Sequence, residues 1–299
     1  MVPAGCVDAP HASPAGELLT AEPFLGWWAV DEGLLTPDQL RSSAWRKVFR
    51  GVYVHRDISL THEVRAKAAC VLLPFAVVSG RSAAVLWGVD LAGADDDVEV
   101  TVPPGSHPTR LPGLRVRRAV IPPGHRTYRR GVPVTSPEAT AVRLAGLLPA
   151  DAAVVAVDQL VDTGRAELAG VRALAAVTRG RGAARAKAAC ALADGLAQSP
   201  QETRVRLLLH RSDVPMPTAQ YRVVDDRGRF VAFVDFGWPE QRIALEYDGL
   251  WHAEPGQFAK DRRRLNRLRE AGWTVVFVTA EDMRDPALLL RRIAAALGR

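Results

Sequence analysis

The sequence is poor in cysteine and in aromatic residues, and it has no long apolar run. Its three cysteines, Cys6, Cys70 and Cys190, stand far apart in 299 residues, which argues against a disulfide framework and a cysteine-based zinc site. The longest apolar run, residues 66–78, contains a lysine and a proline and is too short to cross a bilayer. No basic segment followed by an apolar one opens the chain, so we expect a cytoplasmic protein without a signal peptide.

Apolar residues are plentiful and charge is moderately basic. An apolar content of 48% is enough to build real cores, and 299 residues suffice for two domains of ordinary size. The net charge of +6 favours an anionic partner without identifying one, because the excess is shared between both halves of the chain. Any nucleic-acid contact must therefore be argued from local clusters.

Helix and strand patterns alternate along the whole chain and predict the α/β (α+β) class. We expect a mostly helical, winged-helix-like N-terminal domain and a C-terminal mixed sheet flanked by helices. The predicted segments are a flexible tail (1–20), an N-terminal domain (21–178), a linker with a connecting helix (179–198) and a C-terminal domain (199–299). The linker is predicted because residues 179–187 are basic and rich in Gly and Ala.

The N-terminal domain contains a basic hairpin pattern. Two short apolar runs between Trp45 and His55 flank the pair Arg50-Gly51, which predicts two antiparallel strands. Arg46, Lys47 and Arg50 are then candidates for phosphate contact, or the hairpin is purely structural. The helix that starts at Pro37 leaves too few residues before this hairpin for a second helix to enter a DNA major groove.

The C-terminal domain opens with a helix-start signal. Ser199, Pro200 and Glu202 stand at the N-cap, first and third positions of a predicted helix. The following pattern predicts the element order α-β-β-β-α-β-α, which gives a mixed sheet with helices packed against it.

Acidic residues occur on two of these predicted strands. Asp235 lies in one apolar run, and Glu246 and Asp248 share one face of the next. Two carboxylates about 4 Å apart repel by ~4 kcal/mol at an effective dielectric near 20, and a bound cation reverses that sign. Oxygen ligands suit Mg²⁺ or Mn²⁺. The pattern predicts a metal site formed by Asp235, Glu246 and Asp248, or else solvent-facing acids on an exposed sheet.

Residues 234–236, 246–252, 260–264 and 268–275 resemble the very-short-patch-repair endonuclease domain, a branch of the PD-(D/E)XK nuclease superfamily. The resemblance covers about a third of the chain and implies a DNA endonuclease in which a metal activates the attacking water. It implies the catalytic set Asp235, Glu246, Asp248, His252, Asp261 and Glu202. Within that set His252 would receive the proton of the water, and Asp261 would orient the imidazole. Helix capping is the alternative role for Glu202 and Asp261.

One position departs from the superfamily pattern. The lysine expected two residues after Glu246 is Asp248 in this sequence. That lysine normally positions the nucleophilic water or stabilises charge. Either His252 takes over its role, or the site binds metal and cuts poorly.

Two further sequence features concern nucleic acid. The run from Lys260 to Arg269 carries six basic residues, of which Lys260, Arg263 and Arg264 are our candidates for phosphate contact, a solvated helix face being the alternative. Residues 24–110 are similar to proteins with an AbiEi-type antitoxin winged-helix start. The matching pieces are residues 34–37, 49–54, 78–84 and 134–137.

The residues and the two resemblances lead to ranked hypotheses. The first is an endonuclease that uses Mg²⁺ or Mn²⁺ to hydrolyse DNA. The alternative is a DNA-binding transcriptional regulator of the antitoxin type with a weak or inactive nuclease-like domain. We expect DNA as a partner, no membrane association, and either a toxin partner or a second copy of the chain. A chiefly structural protein fits the clustered acids least well.

Overall fold

The computed structural model describes residues 14–106, 111–248 and 257–298. The chain divides into two compact units, Met1–Arg143 and Leu144–Arg299. This division falls inside a helix, and the segment boundaries predicted from the sequence remain a prediction. Helices and mixed sheets occur in both units, which confirms the α+β class. Within the described ranges, no helix is long and apolar enough to cross a membrane.

In residues 14–106 and 111–143, the first unit combines six α-helices with eight strands. Its helices are α1 (Pro14–Ala21), α2 (Gly26–Asp31), α3 (Pro37–Leu40), α4 (His62–Leu72), α5 (Gly80–Trp87) and the start of α6 (Pro137–Leu147). Its strands are β1 (Phe24–Leu25), β2 (Trp45–Phe49), β3 (Val52–His55), β4 (Val77–Val78), β5 (Val98–Val102), β6 (Leu114–Arg118), β7 (Arg126–Arg129) and β8 (Val132–Thr135).

A small three-stranded sheet, in the order β1-β3-β2, carries the predicted basic hairpin. Strands β2 and β3 pair antiparallel, as the sequence predicts. Helix α1 begins at Pro14, inside the segment predicted as a flexible tail, because buried Leu19 packs with Phe24 and Ala29. Residues 1–13 of that predicted tail lie outside the described residues.

A five-stranded sheet, in the order β6-β5-β4-β8-β7, forms the rest of the first unit. This part of the chain is richer in strand than the mostly helical domain that the sequence predicts. Two of the strands that the sequence analysis did not identify are short: β4 has two residues and β8 has four, with a proline among them. Periodicity cannot mark so short a strand, since a period of two needs several repeats.

The second unit begins with helices that pack on one another. Helices α7 (Ala150–Asp162), α8 (Leu168–Val177) and α9 (Ala183–Leu192) follow α6. Helix α9 starts inside the stretch predicted as a linker, and it packs against α7 and α8. Ala186, Ala189 and Cys190 are buried there, so the alanines that suggested a flexible linker form a helix face instead.

The C-terminal part has the predicted order α-β-β-β-α-β-α. Its elements are α10 (Pro200–His210), β9 (Thr218–Val224), β10 (Phe230–Trp238), β11 (Ile243–Tyr247), α11 (Gln257–Glu270), β12 (Thr274–Val278) and α12 (Pro286–Ala296). The sheet order is β12-β11-β10-β9, with β11 and β12 parallel and the other pairs antiparallel.

Apolar clusters cover this sheet on both faces. Phe236 and Leu245 pack with residues of α10 and α12, including Leu209 and Ile293. Val234 and Ala244 pack in a second cluster with Leu268 of α11. The central strands are thus enclosed, and any carboxylate on them must find a partner inside the protein.

Candidate functional site

The predicted acids come together where strands β10 and β11 lie side by side. Phe236 pairs with Leu245, so the neighbouring positions bring Asp235 beside Glu246. The Tyr247 backbone N–H donates to Asp235 Oδ2 at 2.9 Å. The two central strands therefore hold both carboxylates beside each other.

Glu202 joins this group from the first turn of α10. Its backbone N–H donates to Ser199 Oγ at 3.2 Å, the expected N-cap bond. Its side chain is buried, and Glu202 Oε2 accepts hydrogen bonds from the Gln198 backbone N–H and from Gln220 Nε2, both at 2.9 Å. Gln220 reaches it from a strained backbone with φ of 47°. The carboxylate thus caps its helix and also faces Asp235.

Glu246 is held by an arginine of helix α11. Arg264 Nη2 donates to Glu246 Oε2 at 2.6 Å, and Arg264 Nη1 donates to Glu246 Oε1. Glu246 is 6% exposed, so this is a buried, two-point ion pair. The hydrogen bonds to Glu246 raise the pKa of Arg264. Both oxygens of Glu246 are therefore occupied by a guanidinium.

Asp235 is the acid of the group whose charged form is disfavoured. Burial raises its pKa to about 6, against the opposing effect of the Tyr247 N–H bond. The charges of Glu202 and Glu246 raise the pKa further, and Arg264 lowers it. These effects place Glu202, Glu246 and Arg264 within electrostatic reach of Asp235.

The described residues do not fit the predicted metal site as they stand. Both Glu246 oxygens bind Arg264, and Asp248 is exposed beyond the end of β11, with its backbone N–H bonded to Val278 O at 2.7 Å. Among the residues that the structure describes, no group of three or more His, Cys, Asp or Glu side chains converges as metal ligands do. Metal binding by Asp235, Glu246 and Asp248 remains a prediction.

The other residues predicted for catalysis or phosphate contact are placed as follows. His252 lies outside the described residues. Asp261 is partly buried on α11 and contributes to the electrostatic environment of Arg264. Lys260 and Arg263 are exposed, which suits a phosphate contact. Arg264, in contrast, faces Glu246 and has 32% of its side chain exposed.

The predicted basic hairpin of the first unit presents its cations to solvent. Arg46, Lys47 and Arg50 are all exposed on β2 and its turn. Arg46 Nη2 donates to the Ile58 carbonyl, so this guanidinium is also part of the structure of the unit. Helix α3 has four residues, in agreement with the expectation that no full recognition helix precedes the hairpin.

A second basic group was missed from the sequence. Arg115 and Arg117 project from edge strand β6, and Arg115 Nη1 lies 3.7 Å from Glu99 Oε1. Burial lowers the pKa of Arg143, and so does the nearby charge of Arg117. The alternation of Arg115 and Arg117 along a short strand was a usable signal, but only the parallel pairing of β6 with β5 brings Arg115 to Glu99.

The sequence analysis also missed a buried acid on α7. Asp158 is fully buried. Its Oδ1 accepts hydrogen bonds from the backbone N–H groups of Asp194 and Gly195. Its Oδ2 accepts hydrogen bonds from Thr203 Oγ1 and Arg206 Nη2. An acid within the apolar run Ala152–Leu160 was the available signal. These contacts tie α7 to α10 and have a structural role.

Both cysteines in the described ranges are unreactive by environment. Burial raises the pKa of the Cys70 and Cys190 thiols to about 11 in each case. Thiolate is the nucleophilic and metal-binding form, so these cysteines act as small apolar residues.

Comparison with known proteins shows relatives that match almost the whole chain. Two proteins of Mycobacterium tuberculosis, called Uncharacterized protein Rv2248 (strain H37Rv) and Uncharacterized protein MT2308 (strain CDC 1551), are each 32% identical over 266 residues. The match covers 87% of this chain and 95% of each relative. This chain belongs to their family.

A family model matches part of the chain. Residues 76–195 match the AbiEi antitoxin C-terminal domain. The matched region contains two of the four pieces on which the antitoxin resemblance was based, residues 78–84 and 134–137, and it excludes residues 34–37 and 49–54. The antitoxin-like part is confirmed there, while the patch-repair nuclease resemblance is not.

A solved structure is also similar. The crystal structure of the RV2827C protein from Mycobacterium tuberculosis aligns with 68% of this chain and 83% of its own, with 15% identity and a TM-score of 0.40. A score at that level does not establish a common fold.

Proposed function

We propose that this protein is a DNA-binding regulator of the antitoxin type. The single observation that carries the proposal is the match of residues 76–195 to the AbiEi antitoxin C-terminal domain. Antitoxins of this type bind DNA and pair with a toxin. The alternative raised from the sequence is therefore better supported than the endonuclease.

Charge supports DNA as the partner. Exposed Lys47 and Arg50 on the hairpin and the arginines Arg115 and Arg117 on β6 give the first unit two basic surfaces. Phosphate contacts of this kind position a protein on DNA without reading its sequence. With four residues, helix α3 is too short to act as a recognition helix in a major groove.

The proposal is tested by binding to the DNA upstream of the protein's own coding sequence. We expect a footprint there and an affinity that falls steeply with salt, because binding releases counterions from phosphates. The double variant K47A/R50A should weaken binding roughly tenfold and make the salt dependence shallower by about two ions. The matched control R204A/R291A removes two exposed arginines of the second unit and should bind as the wild type does. The absence of a footprint at low salt would remove the proposal.

A toxin partner follows from the same proposal. We expect the protein to form a stable complex with a toxin encoded beside it, detected by co-purification of the two chains. A second copy of this chain is the other partner to consider, and the mass of the purified protein in solution distinguishes the two.

The metal-dependent endonuclease is the second candidate, favoured by the approach of Glu202, Asp235 and Glu246 to one another. It predicts nicking of single-stranded, duplex, mismatched or branched DNA in the presence of Mg²⁺ or Mn²⁺. The nicking should disappear in D235A while the fold persists. No cutting of any of these substrates would exclude it.

A further inference from the structure

The contact between Arg264 and Glu246 stands at the point where the sequence predicts a metal ion. Glu246 lies on central strand β11, with 8% of its side chain exposed, and the two terminal nitrogens of Arg264 each donate to one of its oxygens. A planar guanidinium matches a carboxylate at two points and satisfies both oxygens in one plane. A cation that bound Glu246 in the same two-point way would have to displace this arginine.

The neighbouring acids are also supplied with protein donors. Asp235 Oδ2 accepts from the Tyr247 backbone N–H, and Glu202 Oε2 accepts from Gln198 and Gln220. Arg264 is within electrostatic reach of Asp235 and Asp261 as well as Glu246. Its positive charge therefore acts on the group of acids, and not on Glu246 alone.

We infer that the guanidinium of Arg264 takes the place of the divalent cation and serves as the permanent counter-ion of Glu246. The second unit then folds without a metal and does not take up Mg²⁺ or Mn²⁺ at this point. Arginine cannot lose its proton in a protein, so this counter-ion is present at every working pH. The inference concerns the C-terminal sheet and does not depend on the proposed DNA binding.

The test compares the full chain with R264M in the absence and presence of Mn²⁺. Removing the guanidinium leaves Glu246 buried and unpaired, so the thermal midpoint of R264M should fall by roughly 5–10 °C in EDTA. Mn²⁺ should then raise the midpoint of R264M by roughly 3–5 °C and leave the wild type unchanged, because only the variant leaves Glu246 without the guanidinium.

Two further variants make the result specific. R267M removes an exposed arginine of the same helix and should behave as the wild type in both conditions. E246Q/R264M lacks both charges, so it should recover part of the lost stability and show no response to Mn²⁺. If R264M does not fold in EDTA, the same comparison is made as refolding on addition of Mn²⁺, with E246Q/R264M as the folded reference.

Either of two results would overturn the inference. The first is calorimetric binding of Mn²⁺ to the wild type that disappears in E246Q, since the site would then hold a metal despite Arg264. The second is an R264M variant that gains no Mn²⁺-dependent shift or folding, since the arginine would then not be standing in for a cation.

Discussion

Among the described residues, the buried polar side chains of the first unit are neutral, whereas those of the second unit include charged groups. The first unit buries His62 together with serine and threonine hydroxyls, and the second buries Asp158, Glu202 and Glu246 together with Arg206. A neutral hydrogen-bonded group is tolerant of small losses, but a buried charge becomes costly when its partner is removed. The two units should therefore differ in which substitutions and which pH changes they withstand.

The largest expected effect is in the second unit, at Asp158. D158A removes the acceptor of four hydrogen bonds and leaves the buried guanidinium of Arg206 without this partner, which should lower the free energy of unfolding by roughly 3–5 kcal/mol. D162A removes an exposed acid from the same helix and should stay within about 0.5 kcal/mol of the wild type. Urea unfolding measures both. A loss below about 1 kcal/mol in D158A would remove the distinction drawn between the units.

In the first unit, the largest loss of stability is expected from a substitution at Gly80. Its φ is +58°, and an added Cβ would lie 1.8 Å from Glu99 Oε2, which accepts the Arg81 backbone N–H at 3.1 Å. G80A should cost roughly 2–3 kcal/mol, since it strains the backbone and displaces that carboxylate. Gly124 has open space around it, so G124A serves as the control and should be nearly neutral. Equal stability of G80A and G124A would contradict the argument.

The pH dependence of the second unit should follow Asp235. Its folded-state pKa of about 6 lies above the ordinary value of 3.8, so its contribution to stability is complete below pH 3.8 and is lost as the pH rises through 6. D235N should therefore raise the free energy of unfolding at pH 8 by about 1–2 kcal/mol in EDTA and make little difference at pH 4. Unfolding of D235N and of the control D248N at both pH values checks this. A destabilised D235N at pH 8 would contradict the sign.

The first unit should respond to pH in the opposite direction, with the smallest effect. His62 Nδ1–H donates to Gly93 O at 2.8 Å, and Nε2 lies 2.7 Å from Ser82 Oγ. Burial lowers the pKa of His62, so the unfolded state binds the proton more readily and stability is lost as the pH falls below 6.5. One proton gives a slope of at most about 1.4 kcal/mol per pH unit. Hydrogen exchange of the α4 amides between pH 7 and 5 measures this slope, which H62Q should abolish.

The predictable parts of the fold are those with local signals. The basic hairpin, the helix cap at Ser199 and the C-terminal element order were all available from short-range patterns. The short strands β4 and β8 and the start of helix α9 were not, because their formation depends on pairing and packing with distant segments.

Three members of the candidate site could be predicted, whereas its chemistry could not. Strand alternation and the resemblance selected Asp235, Glu246 and Glu202, which do lie together. The sequence analysis instead gave Glu246 a metal ion as its partner and assigned Arg264 to phosphate contact. Arg264 stands four residues before fully buried Leu268, so both side chains lie on the face of α11 that is turned toward the sheet. This spacing was the signal that could have identified Arg264 as the partner of Glu246.

By itself, the sequence determined the α+β class, the order of the C-terminal elements and the acids on two adjacent strands, because these follow from side-chain periodicity and from local caps and turns. Tertiary structure alone decided which charge neutralises those acids. Which charged residue pairs with a buried carboxylate depends on distance and burial, and the two partners can lie far apart in the chain. Here the nearest cation to Glu246 is an arginine of helix α11.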